Sequence, residues 1–267
     1  MNEPIYVGKK YLSWPSWSPN GSQIAFVENG DLIVVDLDGT IMSTNRSVFI
    51  QSKPMWSPNG DYVVVAGYGS SVHALGTSSE ESLFIAEGWS PKFSKPKDKI
   101  WFASGSGLFT TSLKRSPIQQ IAVKCRGSDN YDCSPDGTKI VYCDNEYIIT
   151  IANIDGSDSR HLFRDHGLSR HGLHVHFGNT PRWSPNGRYI AFHQVTDKDR
   201  IFVAETDSSD IYIAGHGLSP LWSFNSSRLL FETNDEMIKI ADPKGTHEQI
   251  ISNGRSPSWS PNDVDIA

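Results

Sequence analysis

Along this chain, short apolar runs alternate with polar breaks rich in glycine, proline, asparagine and serine. Ile24-Ala25-Phe26-Val27, Leu32-Ile33-Val34-Val35, Ile148-Ile149-Thr150-Ile151 and Ile201-Phe202-Val203-Ala204 are examples. Runs this short, bounded by turn residues, predict strands buried on both faces. None approaches the ~18 consecutive apolar residues that would span a bilayer as a helix.

The breaks repeat. Trp17-Ser18-Pro19-Asn20-Gly21 recurs as Trp56-Ser57-Pro58-Asn59-Gly60 and Trp183-Ser184-Pro185-Asn186-Gly187, with weaker copies at Cys133, Trp222 and Trp259 and a faint one at Phe93. The seven anchors are separated by 39, 37, 40, 50, 39 and 37 residues. Seven positions after each anchor stands an aliphatic residue: Ile24, Val63, Ile100, Ile140, Ile190, Leu229 and Ile266. Each copy predicts a hairpin. Proline presets φ, Asn or Asp tolerates the next position, and Gly accepts the left-handed conformation that closes the loop. A third strand follows, and a fourth is expected at Val48-Phe49-Ile50, Leu83-Phe84-Ile85, Gln120-Ile121-Ala122-Val123 and Ile211-Tyr212-Ile213. Proline lies two positions before the anchor in six copies, as Pro15, Pro54, Pro91, Pro181, Pro220 and Pro257, with Tyr131 in the other. Proline lacks the ladder donor, so the strand that carries it should have a free edge.

Four strands in each ~40 residues, repeated along the chain, predict an all-β propeller of four-stranded antiparallel blades. The motif Pro-x-Trp-Ser-Pro-Asn-Gly-x-x-Ile-Ala-Phe, followed by a strand ending Asp36-Leu37-Asp38-Gly39, resembles the TolB-type WD40-like repeat, also called PD40, over residues 15–267. That family includes scaffolds, accessory domains of peptidases and a few enzymes, so the resemblance speaks to fold more than to activity. Seven anchors imply seven blades in one domain, 1–267. The last would be begun by the C-terminus and closed by the N-terminal strand Ile5-Tyr6-Val7. Six blades are the alternative. Because the last copy stops partway through a strand, a longer polypeptide is a further alternative.

Composition narrows the class. With 37% hydrophobic, 20% charged and 11% aromatic residues, the chain is neither a disordered tail nor a coiled coil. Five of its eight Trp are anchors. A net charge of −6 and the lack of any Lys/Arg cluster beyond pairs argue against nucleic acid as a partner. Three cysteines without metal spacing, and an N-terminus without charged and apolar signal regions, imply a cytoplasmic protein with reduced thiols. A periplasmic location would follow if a signal had been removed.

The 50-residue gap is the one departure. The linker into the fifth inner strand starts normally at Gly167-Leu168-Ser169, but its proline is delayed to Pro181 by eleven residues, Arg170 to Thr180. The insertion enters the loop between one blade and the next, where insertions build binding sites. It holds His171, His174 and His176, and His161, His166 and His193 lie close by in sequence. If the segment is extended, His174 and His176 project to one side and could ligate one divalent metal, with His171, His166 or Asp165 as a third ligand. His174-Val175-His176 upstream of an anchor is similar to the His-x-His element of oligogalacturonate lyases. That resemblance implies a metal that binds substrate carboxylates and eases proton abstraction. Two departures weaken the match: His171 stands where that pattern has Gln, and the chain is shorter.

No Gly-x-Ser-x-Gly elbow and no phosphate-loop lysine occur. The primary expectation is therefore a non-catalytic scaffold without a cofactor. It would present His171, His174, His176, His193 and His216 on one face to a protein or peptide partner. The alternative is a metal-dependent enzyme acting on an acidic polysaccharide, with His171, His174 and His176 as ligands.

Overall fold

The computed structural model describes residues 12–94, 99–105, 107–114, 116–124, 130–144, 148–162, 176–195 and 199–267, with only the backbone at 122, 124, 176–179 and 195. Among them are six four-stranded antiparallel sheets, each the blade of an all-β propeller. The first blade is β1–β4 (Leu12–Trp17, Gln23–Glu28, Asp31–Asp36, Ile41–Asn45). The second is β5–β8 (Met55–Trp56, Tyr62–Gly67, Ser71–Gly76, Ser82–Glu87), and the third β9–β12 (Trp89–Ser94, Lys99–Ser104, Gly107–Ser112, Gln119–Lys124). The fourth is β13–β16 (Tyr131–Cys133, Lys139–Cys143, Ile149–Asn153, Arg160–His161) and the fifth β17–β20 (His176–Trp183, Tyr189–Val195, Arg200–Glu205, Ile211–His216). The sixth is β21–β24 (Leu218–Trp222, Leu229–Glu232, Met237–Ala241, Glu248–Asn253).

The spacing of seven is a register. In every copy the anchor and the aliphatic residue seven positions later are cross-strand partners: Trp17↔Ile24, Trp56↔Val63, Phe93↔Ile100, Cys133↔Ile140, Trp183↔Ile190, Trp222↔Leu229 and, as an isolated bridge, Trp259↔Ile266. The serine after the anchor holds the turn. Its hydroxyl donates to the Asn or Asp two residues on and accepts the backbone N–H five residues on, at 2.9–3.0 Å, in Ser18, Ser57, Ser134, Ser184, Ser223 and Ser260. These serines are buried, so the two bonds satisfy a hydroxyl that would otherwise be buried without a partner. The turn's left-handed position holds Gly21, Gly60, Gly137 and Gly187, with Ser226 (φ 63°) and Asp263 (φ 60°) in the last two copies.

Each proline-bearing strand is the edge strand of its sheet, as expected. Four prolines also sit in register breaks opposite the second strand, between Ser13 and Ser16, Trp101 and Ala103, Asn179 and Arg182, and Leu218 and Leu221. The residue before each is left-handed: Trp14 at φ 56°, Ser90 at 49°, Thr180 at 61° and Ser219 at 53°. The bulge thus removes the ladder bond that proline could not donate.

Two expectations are corrected. Val48-Phe49-Ile50 is not the fourth strand of the first blade; β4 is Ile41–Asn45, and Ile50 instead bridges Gly67 of the second blade. The count of four-stranded blades is six, the alternative expected. Residues 258–267 form only a short hairpin, with Ser258 and Ala267 exchanging backbone hydrogen bonds at 2.8 and 2.9 Å. The closing strand expected at Ile5–Val7 lies outside the described residues. No helix among the described residues is long and apolar enough to cross a membrane.

Packing divides the chain into two compact units, one with the first two blades, most of the third and residues 258–267, the other with the fourth to sixth blades. Within the first, Ala25, Val27, Leu32 and Val34 pack on Ile50, Trp56, Val63 and Leu75, while Ile24, Phe26, Ile33 and Val35 pack with Trp17 and Ala267. Within the second, Ile190 and Phe192 meet Val141, Cys143 and Ile149, and Ala191 lies with Trp222 and Phe231. Strands buried on both faces explain why their apolar runs are nearly continuous. Each full side-chain burial contributes roughly 1.5–3 kcal/mol. Anchor indoles also bond from blade to blade: Trp56 Nε1 donates to Ser16 O at 2.9 Å, and Trp222 Nε1 to Arg182 O at 3.0 Å.

Candidate functional site

The insertion enters at the start of the fifth blade. Its final residues, 176–180, belong to β17, which extends the inner strand by pairing His176 with Val195, Phe177 with Gln194 and Asn179 with His193. The insertion is therefore part strand, whereas a loop was expected throughout.

Thr180 joins the strand to two neighbours. Its backbone N–H donates to Asn130 Oδ1 of the linker into β13 at 3.3 Å, and its hydroxyl lies 3.3 Å from His193 Nδ1 in β18. Asp132 Oδ2 accepts the backbone N–H of the anchor Trp183 at 2.9 Å, so a side chain of the fourth blade holds the fifth blade's inner strand. Near the end of the fourth blade, Asp144 caps the turn by accepting the Ile148 N–H at 2.9 Å and faces His161 Nε2 at 3.9 Å.

Burial at this end is unusual for polar groups. Asn130 is 9%, His193 5% and Gln194 0% exposed. Both amide atoms of Gln194 are buried, and among the described residues neither has a hydrogen-bond partner. Regular pairing of β18 with β19 puts Gln194 on the same side as Ile190 and Phe192, the side that meets the fourth blade. A buried, unpaired primary amide costs about 1–3 kcal/mol, and such exceptions call for an explanation other than stability.

Of the residues expected on a binding face, His216 ends β20 and is exposed, opposite Arg200 in the register. His193 is buried and faces Thr180, so it supports the inner strand and is not presented at the surface. His176 pairs through its backbone with Val195. His171 and His174, with the third-ligand candidates His166 and Asp165, lie outside the described residues. Among the described residues no three His, Cys, Asp or Glu side chains are grouped to hold a metal ion.

Asn130, Thr180 and Gln194 were not expected from the sequence. Eleven positions after the anchor, where Gln194 stands, other copies have Glu28, Gly67, Ser104, Asp144 and Thr233, so its polarity fits the repeat and only its burial sets it apart.

No known family model matches the sequence, and no curated protein does. Solved structures do resemble it. Oligogalacturonate lyase in complex with manganese superposes with a TM-score of 0.71 at 12% identity, covering 95% of this chain and 84% of that one. The β-propeller domain of Cps50 (Swd1) from Myceliophteria thermophila gives 0.68 at 11%, covering 96% and 92%. TolB from Acinetobacter baumannii gives 0.63 at 15%, covering 93% of this chain and 66% of its own. At these identities the likeness is one of fold, and the fold it shares with TolB and the other two is the β-propeller.

Proposed function

We propose that the chain is a non-catalytic interaction scaffold that presents the start of its fifth blade, with the insertion 170–180, to a protein or peptide partner. The observation that carries this reading is the support given to one irregular segment. Where the other copies enter the inner strand through a short linker, β17 is lengthened and held by Asn130, Asp132 and His193. Rigid support under a variable loop is how repeat scaffolds build recognition surfaces. The fold likeness to TolB and to Cps50 (Swd1) agrees with it. To test it, a partner captured by the native protein is purified and titrated against a variant with residues 170–175 replaced by Gly and Ser. Loss of at least about tenfold in affinity is expected, the scale of a loop carrying a binding hot spot. Unchanged affinity would overturn the proposal.

A second reading, a divalent-metal enzyme acting on an acidic polysaccharide, draws on the likeness to a manganese-bound oligogalacturonate lyase and on the spacing of His174 and His176. It requires stoichiometric metal in protein purified without chelators or a histidine tag, and loss of that metal in a His174→Ala, His176→Ala double variant. Metal-free native protein would sink it.

A further inference from the structure

The first unit contains a cleft of about 300 Å³ at the hairpin-turn end of the first blade, lined chiefly by Trp17, Asn20, Leu37, Pro261, Asn262 and Asp265. Its shape depends on the residue that follows the third strand, which differs from blade to blade. In the second blade, Thr77 follows the third strand and closes over the turn: its hydroxyl donates to Gly60 O at 2.7 Å and its N–H to Asp61 O at 3.0 Å. Thr206 does the same in the fifth blade, bonding to Gly187 O at 3.1 Å and Arg188 O at 2.9 Å. The first blade has Leu37 at this position. Leucine has no hydroxyl to close the turn, and this one is 48% exposed. On the other side stands the hairpin 258–267, whose Pro261 ring comes within 3.5 Å of the position a Cβ on Gly21 would take.

The walls are of two kinds. Trp17, Leu37 and Pro261 are apolar, and Asp265 is the one charged side chain in the lining. The Asp265 carboxylate has a single, long contact, from Asn262 Nδ2 at 3.5 Å, and no cation pairs with it among the described residues. Asn20 Oδ1 is already taken by the Ser18 and Ser22 hydroxyls and the Ser22 N–H. The one charge in the lining is thus an exposed carboxylate beside apolar walls, without a cationic partner among the described residues, in a chain of net charge −6.

We infer that this cleft takes a cationic side chain of arginine type from a partner polypeptide. The aliphatic stem would lie along Leu37 and Pro261 against the indole, and the guanidinium would meet Asp265. Long cationic side chains combine an apolar stem with a charged head, a guanidinium pairs with both carboxylates and aromatic faces, and the volume reaches the lower range of small-ligand sites. The inference is independent of the insertion, because it uses a different blade and none of the same residues.

The test uses the full chain and N-acetyl-arginine amide as the probe, followed by the amide resonances of Leu37 and Asp265 and the Trp17 indole resonance. Saturable shifts are expected. Asp265→Asn should weaken binding about tenfold, the loss of one charge-assisted contact. Leu37→Thr, which gives the first blade the closing hydroxyl of the second and fifth, should abolish it without lowering the melting temperature. The inference is overturned if the probe moves none of these resonances. It is equally overturned if N-acetyl-glutamine amide moves them as much, or if Asp265→Asn binds as the native protein does.

Discussion

The two ends of the fifth blade's inner strands follow opposite rules. At the hairpin turn, Ser184 makes the same hydroxyl bonds as five other serines in the chain, to atoms at the same offsets and at nearly the same distances. At the other end, where β17 begins, Asn130, Thr180, His193 and Gln194 form an arrangement that the other described blades lack. A turn that every blade must make is held by local bonds that any copy can supply. The entry to the strand shares only the proline bulge with three other blades, and around that bulge its side chains are individual. Repetition therefore marks structure in this protein, and departure from it marks the candidate site.

The most severe way to break this comparison is to remove an anchor. Trp222→Ala deletes a buried indole and its bond to Arg182 O, and should cost about 3–5 kcal/mol in denaturant unfolding. His216→Ala, exposed at the other end of the strands, should stay within about 0.5 kcal/mol. Equal losses from the two would mean that the ends are not energetically distinct.

The turn rule itself is tested by Ser184→Ala. The variant strips a partner from the Tyr189 N–H and should lose about 1–3 kcal/mol. Ser57→Ala should lose a similar amount. A disparity well beyond that range would show that the copies are alike in geometry but not in energy.

Gln194→Leu sharpens the other side. Removing an unpaired buried amide should leave stability unchanged or raise it by about 1 kcal/mol, while partner affinity through the insertion falls. Destabilisation without a change in affinity would make Gln194 an ordinary structural residue.

The smallest effect is acid dependence at the turn after β23. Burial alone would raise the Asp242 pKa, but hydrogen bonds from Thr246, His247 and the backbone of Thr246 and Lys244 outweigh it and bring it from 3.8 to about 2. A folded-state pKa below the unfolded one gives stability that is present above pH ~4 and lost as pH falls toward ~2. The Asp242 side chain is half-buried, but its His247 partner is exposed, so solvent screening keeps the effect to about 1 kcal/mol. Comparing the acid limb of unfolding in native protein and Asp242→Asn should reveal that small difference, and identical limbs would refute it.

Much of the fold could be read from residues before any coordinates. The anchor and the aliphatic residue seven positions on define a hairpin, and each pair is in register. Proline two before the anchor requires an edge strand, and in four copies the edge strand carries it, while Pro54 and Pro257 stand outside the strands. The missed strand is instructive. Val48-Phe49-Ile50 has the apolar look of a strand but serves as a strap, its Ile50 bonded to Gly30 O at 2.8 Å and bridged to Gly67. The true strand, Ile41-Met42-Ser43-Thr44-Asn45, looks polar because its hydroxyls and amide bond to the second blade: Ser43 to Thr77 O at 2.7 Å and Asn45 to Glu81 O at 3.1 Å. Apolar content alone could not tell an outer strand from the strap beside it.

The candidate site was legible only in outline. The lengthened gap located the insertion, but residue type suggested a surface histidine face, and His193 is buried. Spacing in the sequence reports local geometry, because turns, bulges and register depend on neighbours a few residues apart. It determined the repeat, the hairpins and the point where the pattern fails. Which blade a polar side chain faces, whether an amide such as Gln194 finds a partner, and whether Leu37 leaves a cleft open all depend on contacts between segments distant in the chain. Only the tertiary structure decided those, since burial and pairing are properties of what surrounds a residue.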